Sequence, residues 1–389
     1  MKRLSAWRER LVDFCFPAES DTWLAVLRIG LGVQVVLYAL SLRDDWSYLL
    51  AGTGHGLISR NLGEAILSLE SDLVPRLGWL VTLGTHIGLH EETVLSIAWV
   101  CLVASGCGLL MGLASRSAAI LAWLFHLCAA KSGGFVSYGV DNFMTIGLFY
   151  LMLSPLPDRY SLDWRLRKSR PRDPQLLGFW RRLLQLHLCV IYFFSGLTKC
   201  LGTGWWDGSN IWRALIRPPF NIIDPEILIR WKYLFPVAGI FTCLLEIGYP
   251  FFIWNSKTRK IWLIGICAMH AGIGLAMGMY LFAFIMIILN LAAFGPGLIR
   301  ANLRTYQPGT VGRDLWTSGK RAFIWGSVLV RANSHLLSTR RPPLLESVVL
   351  KGEPARHARG TDARSSAGDC TSAVNRCGRL FKAARERAD

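Results

Sequence analysis

The sequence predicts an all-α, polytopic membrane helical bundle with about eight transmembrane helices, amphipathic surface helices and a disordered C-terminal tail. Three observations carry that prediction. The 389 residues are 52% hydrophobic and 18% charged, with a mean hydropathy of +0.35, a balance that places the chain in the membrane class. Apolar runs approaching the roughly 17–25 residues needed to cross a bilayer recur along the first 300 positions. Connections rich in Lys and Arg alternate with connections poor in them, as expected when every second loop faces the cytoplasm.

The elements follow in order. In "MKRLSAWRERLVDFCFP", Leu4, Trp7, Leu11 and Phe14 recur at helical spacing among basic residues. Residues 1–22 are therefore read as an amphipathic helix on the inner membrane surface, ended by Pro17. A transmembrane domain over 23–299 holds spans near 23–42, 93–114, 117–131, 141–156, 179–199, 233–254, 261–277 and 279–298. The third and fourth are short for a crossing. The first has the length of a span and lacks a small-residue cleavage site, so no cleaved leader is expected. The mixed polarity of 43–92 predicts one or two short helices on the outer face. Residues 300–336 form a basic juxtamembrane segment with helical potential. From 337 to 389 the composition is too poor in large apolar residues to bury a core, which predicts disorder.

Charge gives the orientation. Residues 1–22 contain four basic side chains, 157–182 eight against three acids, 255–260 three, and the chain from 300 onward a net +10 of the total +17. The alternate connections differ: 43–92 has three basic and seven acidic residues, and 132–140 has none of either sign before Asp141. Eight spans with both termini cytoplasmic fit this alternation. The Lys199 loop is then extracytoplasmic, and the protein is integral to a cell or inner membrane. The positive charge reads as topology, not as nucleic-acid binding, and the first expected partner is the lipid bilayer. Ten scattered cysteines without a Cys-x-x-Cys pair read as small apolar residues, and no structural disulfide is expected for Cys370 and Cys377. No metal site is expected.

Ionisable groups in hydrocarbon are costly, about 2.5–3.5 kcal/mol at mid-span even on the lower scales, so each needs a reason. Arg28, Asp141, His187, Lys199, Glu246 and His270 stand in or at the ends of spans, with His126 and Asn290 as further polar candidates. Arg28 reads either as snorkelling or as an ion pair with Glu246. His187 reads equally as a packed histidine bonded to backbone. Lys199 reads either as an interfacial anchor or as a base. Tyr192, Ser195, Gly196 and Lys199 follow i, i+3, i+4, i+7 and share one helical face. A polar face with a glycine gap belongs in the bundle or in a cavity. Trp205, Trp206, Asp207 and Gly208 follow as an aromatic turn, read either as interface-belt residues or as a cover for that face.

"FFSGLTKCLGTGWWDG" resembles the Gly-x-x-Lys…Trp-x-x-Gly element of the vitamin K-dependent γ-carboxylase superfamily, the horizontally transferred transmembrane (HTTM) domain proteins. "LAVLRIGLG" is similar to the family's Arg-containing first span, "CLLEIGYPFF" to its acidic segment, and "MHAGIGLAMGMYLFAFIMIILNLAAF" to its His-containing span. The resemblance covers roughly residues 15–300. It implies that Lys199 acts as base on a reduced quinone, with His270 in support. Tyr192, Ser195, Gly196, Trp205, Trp206, Asp207, Gly208, Asp141, Asn142, Arg28 and Glu246 would line a site for a quinone, lipid or peptide substrate. Two departures stand beside it. Where the carboxylase has a catalytic His this chain has Asp141 and Asn142, and the carboxylase's large extracytoplasmic β-rich region has no counterpart after residue 300. The competing reading is a non-catalytic membrane component of a peptide toxin maturation, export or immunity system. Broken, paired spans with repeat symmetry, the mark of many transporters, are not apparent.

The charge pattern makes a direct expectation. In a chain lacking its other reactive cysteines, a single cysteine in 200–212 should react with a membrane-impermeant maleimide on intact cells, and one in 165–172 should react only after permeabilisation. The reverse pattern would invert the orientation.

Overall fold

The computed structural model describes residues 2–52, 59–71, 73–133, 137–167 and 172–296. These belong to one unit, Met1–Thr305; the basic segment 300–336 and the tail 337–389 lie outside the described residues. Sixteen helices and no strand element occur among the described residues: α1 (Lys2–Cys15), α2 (Thr22–Ser41), α3 (Trp46–Leu50), α4 (Arg60–Glu70), α5 (Leu77–His86), α6 (Glu91–Met111), α7 (Ser115–Ser132), α8 (Gly139–Leu153), α9 (Leu162–Arg167), α10 (Pro174–Leu201), α11 (Thr203–Trp206), α12 (Ser209–Ile216), α13 (Pro225–Arg230), α14 (Leu234–Phe252), α15 (Arg259–Met277) and α16 (Tyr280–Phe294).

Every expected span coincides with a helix. Five of them, α2, α6, α10, α14 and α15, are long and apolar enough to cross a membrane. At a rise of about 1.5 Å per residue, the 28 residues of α10 reach about 42 Å, more than the hydrocarbon core of about 30 Å. The 15 residues of α8 and of α16 reach only about 22 Å. The eighth run is shorter than its expected 279–298, because Gly295 and Pro296 follow its last helical residue and proline has no N–H to continue the ladder. The 43–92 connection forms three short helices, α3 to α5, one more than the sequence suggested.

Local chemistry sets several starts. Asp173 accepts a hydrogen bond from the Gln175 amide at 2.9 Å ahead of Pro174, and Asp224 does the same for Glu226 ahead of Pro225. Both pair an acidic cap with a proline whose missing N–H costs the helix nothing at that position.

At the centre, α2 packs on α6, α8 and α16; α16 in turn packs on α15 and α10, and α10 on α14. Leu24, Leu27, Leu31 and Val35 of α2 are fully buried, as are Ile285, Leu289, Ala292 and Ala293 of α16. By contrast Trp7, Leu11 and Phe14 of α1 are exposed, as are Phe241 and Leu244 of α14 and Ile261, Ile264 and Leu275 of α15. Such a broad apolar exterior suits lipid rather than water.

Buried charges fasten the ends. Arg28 is 1% exposed and its Nε lies 2.6 Å from Asp158 Oδ2, while Nη1 donates to the Leu109 carbonyl at the end of α6 at 2.6 Å. The pairing with Glu246 considered from sequence is not formed; Asp158, just after α8, takes that place. Arg181 of α10 donates to the Ala293 and Pro296 carbonyls beyond α16 and pairs with Glu19 at 2.5 Å. At the opposite ends of these helices Glu64 of α4 accepts from the Gly78 amide, from Ser132 Oγ of α7 and from Arg60, which fastens the α3–α5 layer to the bundle.

Because removing one member of a buried pair strands the other, Arg28→Met should cost about 3–5 kcal/mol. Arg159 pairs with Asp21 but its side chain is 52% exposed, and Asp21 would keep its bond from the Arg159 backbone amide, so Arg159→Met should cost less than Arg28→Met. Unfolding midpoints of the two variants in detergent compare them; equal losses would mean that burial is not what makes the Arg28 pair matter.

Candidate functional site

The face of α10 singled out by spacing turns into the bundle. Tyr192 is 2% exposed and Gly196 is buried, while Ser195 and Lys199 are half-buried. The helix leans on α14 at Gly196. A Cβ there would stand 2.5 Å from the Ile247 amide nitrogen and 2.9 Å from the Glu246 carbonyl carbon. Only glycine permits such a close approach of two backbones.

That approach brings Lys199 and Glu246 together. Lys199 Nζ donates to Glu246 Oε2 and to Ser195 Oγ, both at 2.6 Å, and stands 5.3 Å from the centre of the Trp205 ring. The side chains are 19% and 6% exposed. The lysine is neither free in water nor sealed off. An ammonium has three N–H donors, so one remains beyond those given to Ser195 and Glu246. The ring adds a cation–π attraction of about 0.5–2 kcal/mol.

Two turns before Lys199 on α10 lies a second, deeper group. Tyr192 Oη is 2.8 Å from His270 Nε2 of α15 and accepts from Asn290 Nδ2 of α16 at 2.7 Å. Asn290 Oδ1 accepts from Tyr249 Oη of α14 at 2.7 Å, and the Tyr192 and Tyr249 rings lie 4.3 Å apart. Four helices thus meet through one network of hydrogen bonds among buried hydroxyl, amide and imidazole groups, in which His270 Nδ1 has no partner.

The aromatic turn stands over Lys199 through Trp205. Trp206 Nε1 donates to the Cys200 carbonyl at 2.8 Å, holding the turn against the end of α10. Gly208 has a φ of +80°, a left-handed conformation that favours glycine. Asp207 acts locally, its carboxylate accepting from the Ser209 amide at 2.8 Å ahead of α12. That backbone hydrogen bond, with Arg213 nearby, holds its carboxyl below the usual aspartate range.

Asp141 belongs to a different place. It accepts from Tyr38 Oη at 2.8 Å and from the Tyr138 amide at 2.9 Å, which caps α8, and its carbonyl is 3.1 Å from His126 Nε2. Two adjoining cavities of about 90 and 270 Å3 open there, both lined by Ala130, Ser137 and Asp141; Asn142 lines the larger. Neither is lined by Lys199. Of the other polar residues named from sequence, His187 meets Tyr150 Oη at 3.0 Å through Nδ1 instead of a backbone group. Arg28 is at the far end of α2 with Asp158.

Lys199, Ser195, Gly196, Glu246 and Trp205 therefore form one cluster, with Tyr192 and His270 beneath it. Sequence reasoning missed Tyr249 and Tyr38. Tyr249 had a signal, standing three residues after Glu246 on the same helical face. Tyr38 had none, since its partner lies 103 positions away.

The crossing can be probed directly. Gly196→Ala should lower stability by about 1–3 kcal/mol, the usual cost of overpacking, and separate Lys199 from Glu246. Gly272 of α15 has open space around its Cβ position, so Gly272→Ala should be neutral or gain about 0.5–1 kcal/mol from helix propensity. Thermal unfolding of both variants tests the contrast, and an unaffected Gly196→Ala would refute the close crossing.

No protein-family model, curated protein or solved structure matches this chain, so its chemistry is argued from its own side chains.

Proposed function

We propose that this protein is a multi-pass membrane protein in which α2, α6, α7, α8, α10, α14, α15 and α16 all cross the bilayer. Both termini are cytoplasmic and the Lys199 end of α10 is extracytoplasmic. The alternation of basic connections supports this count, because leaving out any one of the shorter helices would place basic and acidic loops on the same side. In this reading the chain is a diverged relative of the HTTM and γ-carboxylase superfamily, and Lys199 is a proton-accepting group for a quinone, lipid or peptide substrate.

One observation carries the reading: the Lys199 amine is held at 2.6 Å by both Ser195 and Glu246 while still reaching the surface. An anchoring lysine extends its amine into water and needs no such acceptors. Ser195 and Glu246 fix the amine's position, Glu246 provides a destination for a proton leaving Nζ, and Trp205 offers a ring face to a flat headgroup. A reduced quinone, when bound, would supply an oxidisable ring carrying a phenolic hydroxyl. The spare N–H of Lys199 and the ring of Trp205 fit such a group. With Nζ neutral, Lys199 takes a proton from a substrate oxygen; the deeper network from His270 to Tyr249 keeps α10, α14, α15 and α16 in register.

A second reading, a non-catalytic component of a peptide toxin maturation, export or immunity system, is favoured by Asp141. The position at which the carboxylase family has a catalytic His is used here to cap α8 and to accept from Tyr38.

Lys199→Arg separates the two. Arginine keeps the positive charge beside Glu246 but does not deprotonate. With a reduced naphthoquinone in air-saturated detergent micelles as probe, dioxygen taking the two electrons and absorbance following the ring, the wild type should oxidise the quinol faster than the protein-free solution does. The variant should lose a factor of about 10²–10⁴ while its unfolding midpoint holds. Equal rates would end the base reading, and no turnover by the wild type would end the quinone reading.

A further inference from the structure

The α10–α14 crossing sets another pair of residues opposite one another. The two helices run antiparallel, and their register can be followed residue by residue. Gly196 stands against the Glu246–Ile247 backbone, Lys199 bonds Glu246, and further along the chain the Trp205 carbonyl lies against Gly239, leaving no room for a Cβ. Advancing from Gly196 to Trp205 thus retreats from Ile247 to Gly239, almost one residue for one. That register sets position 200 opposite position 243. Both are cysteines with free thiols, each one helical turn from the closest approach and on the face its helix turns to the other. Cys243 is fully buried and Cys200 is half-buried, with its carbonyl held by the Trp206 indole.

A disulfide needs an S–S distance of about 2.05 Å and Cα atoms about 4.4–6.8 Å apart, and two cysteines facing each other one turn from a backbone-to-backbone contact are placed where such a bridge can span two helices. We propose that Cys200 and Cys243 are a reversible dithiol–disulfide pair beside the Lys199 amine, oxidised by a small disulfide of the glutathione class. This inference is independent of the role of Lys199. The exchange is directional because only one thiol is accessible. The Cys200 thiolate attacks the oxidant's disulfide, forming a mixed disulfide and releasing one oxidant thiol. Cys243 then attacks the Cys200 sulfur, closing the internal disulfide and releasing the second. The protein loses two electrons and two protons, and the oxidant becomes two thiols. A covalent tie at this point fixes the spacing of α10 and α14 one residue from Lys199 and three from Glu246, so the oxidation state sets how far that ion pair can open.

The test uses the full-length protein in detergent, incubated with oxidised glutathione, alkylated under denaturing conditions and mapped by mass spectrometry. The expected product is the Cys200 peptide joined to the Cys243 peptide with loss of two hydrogens, and it should return to free thiols with dithiothreitol. In Cys243→Ser, Cys200 should instead retain glutathione. The proposal is overturned if the wild type keeps glutathione on Cys200 without closing the bridge. It is equally overturned if both thiols are recovered fully alkylated.

Discussion

The close crossing of α10 and α14 at Gly196 is the constraint on which the candidate site depends. Because a backbone, not a side chain, faces Gly196, the two helices approach closely enough for groups of ordinary length to meet across them. Lys199 reaches Glu246, the Tyr192 ring packs on Tyr249, and Cys200 faces Cys243. All of these contacts are read from one register. A shift of α14 along α10 by a single residue would rotate Glu246 away from the amine and leave a carboxylate buried without its cation, the costly outcome for any ion pair in a low-dielectric interior.

The remaining polar groups follow a related rule. Where they are charged they stand near helix ends and bind exposed carbonyls or a counter-ion, as Arg28 does with Asp158 and the end of α6, and Arg181 with Glu19 and the end of α16. Where they lie deeper they hydrogen-bond to one another, as in the group of Tyr192, His270, Asn290 and Tyr249. Helix termini have unpaired backbone groups in any case, so arginine side chains placed there satisfy two needs at once. Lys199 differs in remaining partly open beside an aromatic ring.

Helix positions were legible because the signal is local. Length and apolar content decide whether a segment can be a membrane helix, and the spans expected at 23–42, 93–114 and 261–277 appear as Thr22–Ser41, Glu91–Met111 and Arg259–Met277. The shared face of Tyr192, Ser195, Gly196 and Lys199 was legible for the same reason, since helical spacing alone assigns residues to a side. Even the turn after Lys199 could be read from its glycine, which adopts positive φ.

The partners were decided by tertiary structure alone. Arg28 and Asp158 are 130 positions apart and Lys199 and Glu246 are 47. Nothing in either local stretch selects one acid over another. From sequence Arg28 read either as snorkelling or as paired with Glu246, which also lay in an apolar run, and its actual partner Asp158 stood among the polar residues of a connection. The choice follows from which helix ends lie together: Asp158 follows α8 at the end where α2 begins, whereas Glu246 lies within reach of the end of α10. Composition and periodicity specify that a helix forms and which face it hides. Which residue that face meets depends on backbone separation and axial register, and those are set only when glycine gaps, buried volumes and unpaired polar groups are satisfied together.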